Sequence, residues 1–230
     1  MRRSVIGLVG VLVVAPVATT QAQVQRHRFQ VGPRLAWLNF AEKSGMKSSG
    51  LVGVDALYYL TGNLGIGFSI DFSRPQTDGA YHPVEFSFGD TTLIYQASYP
   101  VTVFQYQLLG IYSLGGGGRF SPYVIGGLGQ YRFFIDPQTA AAATQFSHMV
   151  MTVGGGVNIR LGENAGLRLE VRDFMYSGYD LNEVDAVNPR FAPRRFPEVA
   201  RVPNDECYRS TCRLNNLQLG FGFTFVPGGR

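Results

Sequence analysis

Charge is scarce in this 230-residue chain: 16% of residues are Asp, Glu, Lys or Arg, while 45% are apolar. Lysine is almost missing, with Lys43 and Lys47 standing against 18 arginines. A soluble barrel covers its outside with mixed Lys and Glu, so this poverty points away from a water-facing surface. The formal charge of +4 is spread along the chain without a basic cluster, which excludes a nucleic-acid footprint. The apolar content excludes disorder. Helical periodicity is nearly absent, so no helical membrane span is expected beyond the N-terminal segment. Histidine is limited to His27, His82 and His148, and cysteine to Cys207 and Cys212. That is too few ligands for a metal site, and no cofactor is expected.

What is present begins with a leader pattern. Arg2 and Arg3 precede an apolar run from Val5 to Ala18, and Thr20-Gln21-Ala22 supplies small residues for cleavage after Ala22. The run falls short of the roughly 20 residues of a helical anchor. Residues 1–22 therefore read as a secretory signal peptide and 23–230 as one domain.

Period-2 alternation recurs eight times, over 29–40, 51–60, 64–73, 101–114, 123–135, 148–161, 166–176 and 214–225. Short Gly-, Asn- and Pro-rich links (61–63, 115–122, 162–165) alternate with longer polar ones (41–50, 74–100, 136–147, 177–213). With an even strand number, all short turns and both chain ends fall on one side. All long loops fall on the other. This is the layout of an eight-stranded antiparallel transmembrane up-and-down β-barrel, with short periplasmic turns and longer extracellular loops.

One parity of these strands is apolar and uncharged: Leu35 and Trp37, Val52 to Tyr58, Ile66 to Phe72, Phe104 to Leu108, Met149 to Val153, Leu167 to Val171 and Leu217 to Phe225. In 123–135 the same rule assigns Tyr123, Ile125, Tyr131 and Phe133 to lipid, and Gln130 and Arg132 to the interior. Aromatics near strand ends (Tyr58, Tyr112, Tyr123 and Phe225; Trp37, Phe72, Phe104 and Phe133) suit two interfacial girdles. The opposite parity carries the charges. Arg34, Asp55, Asp71, Arg132, Arg160, Arg168, Glu170 and Arg172 are the expected ion-pair residues of a polar lumen. Five arginines against three acids leave that pairing open. Glycines at 126–127 and 154–156 read as narrow spots in a small lumen.

The last strand reads Gln218-Leu219-Gly220-Phe221-Gly222-Phe223-Thr224-Phe225. It resembles the C-terminal β-signal of outer-membrane proteins, in which Gln218, Gly220, Phe223 and Phe225 match the polar, glycine and aromatic positions. Residues 60–68 and 121–133 are similar to segments of the eight-stranded OmpA/OmpX-like outer-membrane β-barrel domain family. The resemblance implies that the barrel-assembly machinery reads the final strand. It also implies outer-membrane lipids and lipopolysaccharide as surroundings, in a Gram-negative-type bacterium. The family's signal usually ends at the aromatic, whereas Val226 to Arg230 follow here.

Cys207 and Cys212, behind a signal peptide, are expected to form a disulfide. So small a ring constrains the unfolded chain by about 2 kcal/mol on the loop-entropy model. Ser147-His148 invites comparison with outer-membrane deacylases, but neighbours in a strand point to opposite faces. The carboxylates Asp55, Asp71 and Glu170 are accounted for by ion pairing. A catalytic constellation is thus not expected, and the protein is not read as an enzyme. Eight strands leave a lumen just wide enough to fill with side chains. The expected role is structural or interactive: a monomeric surface protein meeting an extracellular ligand through its loops, notably 177–213. A lipid-modifying enzyme and a narrow channel are the alternatives.

Overall fold

The computed structural model describes residues 28–78, 83–88, 91–96, 98, 100–115, 118–135, 144–181, 207 and 210–227. The leader and most of 177–213 lie outside the described residues. Ten strands occur: β1 (Phe29–Asn39), β2 (Ser49–Tyr59), β3 (Leu64–Ser73), β4 (Pro83–Phe88), β5 (Thr91–Gln96), β6 (Val101–Ser113), β7 (Phe120–Ile135), β8 (Thr144–Arg160), β9 (Ala165–Tyr179) and β10 (Cys212–Phe225). Eight close into an antiparallel barrel, β1-β10-β9-β8-β7-β6-β3-β2, sealed where β1 pairs β10. Apart from the seam, barrel neighbours are sequence neighbours once β4 and β5 are set aside. Those two form a separate antiparallel hairpin within the 74–100 connection, in place of the long polar link expected there. Strand β8 also starts further toward the loop side than the alternation marked, and β9 and β10 extend that way too, so the last long connection spans 180–211.

The outward face carries a band of uniform height. On β3 it runs Leu64, Ile66, Phe68, Ile70, Phe72 and stops at Arg74; on β10 it runs from Phe225 to Leu217 and stops at Asn215. On β6 it runs from Tyr112 to Phe104 and stops at Thr102. A strand tilted about 40° climbs roughly 2.5 Å per residue, so ten residues cover about 25 Å. That is the height of a bilayer's apolar band. Outward side chains such as Val52 (50% exposed) and Leu108 (71% exposed) would be unreasonable in water and are suited to hydrocarbon.

Strand β7 corrects the sequence reading. Tyr123, Ile125, Tyr131 and Phe133 are buried inside the barrel, while Phe120, Val124, Leu128 and Phe134 face outward. Gln130 and Arg132 are therefore on the outer wall, and Arg132 is not a lumen residue. Both parities of this strand are rich in apolar residues, so placing its one charge inside chose the wrong face. Because Tyr123 and Phe133 point inward, they belong to neither girdle. Of the glycines, Gly127, Gly154 and Gly156 lie on the inward parity and Gly126 and Gly155 on the outward one. A Cβ at Gly156 would lie 2.7 Å from the Tyr123 hydroxyl oxygen, so this site needs glycine for lack of space.

The lumen is not uniformly polar, as the alternation suggested. It is layered. At the loop side Leu38, Leu51, Val103, Tyr131, Phe133, Val150, Phe174 and Tyr176 form an apolar plug. Leu57, Tyr59, Leu109, Ile111, Tyr123 and Ile125 form a second apolar cluster toward the turns. Charged residues occupy the level between them. Eight strands enclose a space that side chains must fill at interior density, and where no water enters, apolar side chains fill it best.

Candidate functional site

The charges of this layer come from four strands, β1, β2, β3 and β9, and β6 and β7 add polar partners. Arg34 on β1 donates from Nη1 to Glu170 Oε1 at 2.8 Å and from Nη2 to Asp71. Asp55 Oδ2 accepts from Arg168 at 2.8 Å and Arg172 at 2.6 Å, with Arg34 Nη1 at 3.5 Å. Arg172 Nε stands 3.0 Å from Glu170 Oε1. Tyr123 donates its hydroxyl to Glu170 Oε2 at 2.9 Å, and the Arg168 guanidinium lies 4.9 Å above the Tyr123 ring. Ser69 and Gln105 donate to Asp71 Oδ2, and Tyr176 donates to Gln105. All six charged residues are nearly inaccessible to solvent.

The sequence left five arginines against three acids. The structure gives three against three. Arg132 lies outside the barrel, and Arg160 is exposed at the turn-side mouth, where it lines a cavity of about 780 Å³ with Arg28 and Arg119. A balanced cluster is what low-dielectric surroundings demand, since each charge would be costly alone. Ser69, Gln105 and Tyr176 had no assigned role in this layer from the sequence, and Tyr123 was assigned to lipid. Inward parity was the available signal for the first two, and for the tyrosines the strand register is required.

The loop end is closed differently. Tyr131 stacks on Tyr176 with ring centres 4.2 Å apart, and Phe133 stacks on Phe146 at 4.9 Å. Tyr179, at the end of β9, and Leu181 and Cys207, from the last long connection, are buried in this plug. Cys207 and Cys212 are joined by a disulfide, with Cα atoms 5.1 Å apart. The connection is thus pinned at both ends to the barrel rim. Ser147 is exposed on the outer wall, whereas His148 points inward between the rings of Tyr131 and Phe146, each centred 6.0 Å away. Two residues on opposite sides of one wall cannot act as nucleophile and base.

The model of the outer membrane protein beta-barrel domain matches residues 7–225. The chain belongs to this family. The outer-membrane barrel therefore resides in a Gram-negative-type envelope, with its turn side toward the periplasm and its loop side outward. No curated protein sequence matches it. Among solved structures, the neisserial surface protein NspA is 13% identical, with 86% of this chain and 96% of that one covered and a TM-score of 0.54. The Yersinia pestis attachment invasion locus protein Ail is 9% identical over 87% of this chain and 100% of its own, with a TM-score of 0.46. Pseudomonas aeruginosa OprG is 15% identical over 87% and 96%, with a TM-score of 0.44. The likeness to NspA is one of fold.

In this outer-membrane barrel, β10 is the strand that closes the seam, pairing Leu219 with Trp37 and Phe225 with Val31. Phe223 and Phe225 face outward at the periplasmic end of the band. Gln218 is buried in the lumen, and Gly220 lies on the same inward parity.

Proposed function

We propose that the protein is a non-conducting, monomeric surface barrel that meets an extracellular ligand through its loop end and performs no chemistry itself. The observation that carries this reading is the double seal of the lumen. A neutral cluster of three arginines and three acids fills the mid-section, and an apolar plug lies directly outside it. An ion crossing this path would have to break buried pairs and then cross a dry apolar layer. What the barrel offers its surroundings is then the rim, to which the long connection is tied by Cys207–Cys212 and by Leu181.

Replacing 183–205 by a short Gly/Ser link spares the pinned ends. Assembly should remain intact, seen as the slower or faster migration of unheated against heated protein. Binding to cell surfaces and matrix proteins should be lost. In planar bilayers the full chain should give no discrete conductance steps. Reproducible steps would favour the channel alternative, and undiminished binding by the deletion variant would shift recognition to the connections at 41–50, 74–100 or 136–147.

The proposal extends to assembly: β10 is the strand the barrel-assembly machinery reads, through Gln218, Gly220, Phe223 and Phe225. Phe225→Ala should lower the amount of folded protein in the outer membrane several-fold while leaving stability after refolding in detergent nearly unchanged. Equal outer-membrane levels would refute a signalling role for this aromatic.

A further inference from the structure

The outer wall of β6–β8 carries a polar constellation where the apolar band ends. Counting from Phe120, the lowest outward residue of β7, the band's ten residues end at Gln130, and Arg132 stands one outward position higher. Arg132 pairs across the sheet with Phe104 on one side and Ser147 on the other. Its guanidinium lies 5.9 Å from the centre of the Tyr106 ring, within cation–π range. Among the described residues no acid pairs with it, and its Nε is buried without a hydrogen-bond partner. The acid on the neighbouring outer wall, Asp173 on β9, accepts instead from Asn215 at 3.0 Å. Tyr106 donates its hydroxyl to Gln130 Oε1, which engages the acceptor of that amide and leaves its NH₂ as the group that can donate to a ligand. The exposed Ser147 hydroxyl completes the group.

A guanidinium, an amide NH₂ and a hydroxyl form a set of donors with no carboxylate among them. At the loop-side edge of the band, beside the outward aromatics Phe104 and Phe134, the wall comes within reach of the headgroups of the outer leaflet. An arginine fork left unpaired there is complementary to a phosphate. We infer that the β6–β8 wall binds a phosphate of an outer-leaflet lipid, with Arg132 as the anchoring cation, Tyr106 holding the guanidinium and Gln130 and Ser147 donating beside it. The outer leaflet of such a membrane is built of lipopolysaccharide, and the phosphates presented at this level are those of its lipid A. The site is independent of the loop-end function, since it faces sideways into the membrane.

The test uses the full chain folded in detergent micelles, titrated with diphosphoryl lipid A and with its dephosphorylated form of the same acylation, and read by native mass spectrometry. Arg132→Gln should weaken binding of the diphosphoryl form about tenfold, the effect of losing a charge-assisted hydrogen bond, and leave the dephosphorylated form unchanged. Arg132→Lys should retain part of the preference, and Arg160→Gln, at the opposite mouth, all of it. Excess inorganic phosphate should not displace the lipid. Unchanged affinity in Arg132→Gln would overturn the proposal, as would equal weakening for both lipids. Displacement by inorganic phosphate would show an ordinary anion site and overturn the assignment to a lipid. If Arg132→Gln does not give the heat-shifted folded form, Ser147→Ala and Gln130→Ala test the same donors: loss of the phosphate preference supports the site, and its retention in both refutes it.

Discussion

Asp55→Ala is expected to destabilise the folded barrel by about 3–5 kcal/mol, the penalty for leaving buried charge uncompensated. Its Oδ2 is the shared acceptor of Arg168 and Arg172, and Arg34 stands beside it. Without it, three arginines face only Asp71 and Glu170 in a layer closed above and below by apolar residues. The sign of the effect follows from charge balance, so a compensated variant should recover much of the loss. Asp55→Leu combined with Arg168→Met leaves two arginines and two acids. It gives up the cation–π contact with Tyr123 but restores neutrality. The measurement is the urea midpoint of refolded protein in vesicles, with the migration shift on heating as a check of closure. A single variant within about 1 kcal/mol of the parent would mean that water reaches the layer and solvates the orphaned arginines. A double variant no better than the single one would mean that neutrality is not what holds the layer together.

The two results would also bear on function. A lumen in which unpairing one buried charge costs several kcal/mol is not opened by small fluctuations. A barrel sealed in this way would act at its rim or its wall, where both proposed sites lie.

Much of this architecture is written in the sequence. Alternation with a period of two marks all eight barrel strands, and the alternation of short and long links fixes the up-and-down topology, because each feature depends only on local backbone geometry. The pairing of Arg34 with Glu170 is another matter. These residues are 136 positions apart, and what joins them is the register of β1 on β10 and of β10 on β9. The hairpin has a sequence signal of its own: Val84, Phe86 and Phe88 alternate with Glu85 and Ser87, and the pair Gly89-Asp90 has the composition that tight hairpin links favour. The face of β7 was not legible. The rule that a membrane barrel hides its charges fails on β7, where Arg132 lies beside Tyr106 on the outer wall and Tyr131 and Phe133 join the apolar plug inside.

That last point yields a direct experiment on β7. Tyr131→Ala should cost about 3–5 kcal/mol, as for other large-to-small changes in a close-packed interior. Tyr131 is wholly buried, stacks on Tyr176, meets Phe133 edge-on at 5.3 Å and donates its hydroxyl to the Ser177 carbonyl at 3.2 Å. Lipid cannot flow in to fill the space it would leave. Size of effect alone does not prove direction, because an outward tyrosine also contributes. Coupling does. A double-mutant cycle with Tyr176→Ala should show an interaction of about 0.5–1.5 kcal/mol between the stacked rings. The outward Leu128, cycled against Tyr176, should be additive, since the barrel wall lies between them. If Tyr131 and Tyr176 prove additive while Leu128 couples, β7 would be turned the other way. Arg132 would then enter the lumen as a fourth arginine against three acids, and the phosphate site on the outer wall would lose its anchor.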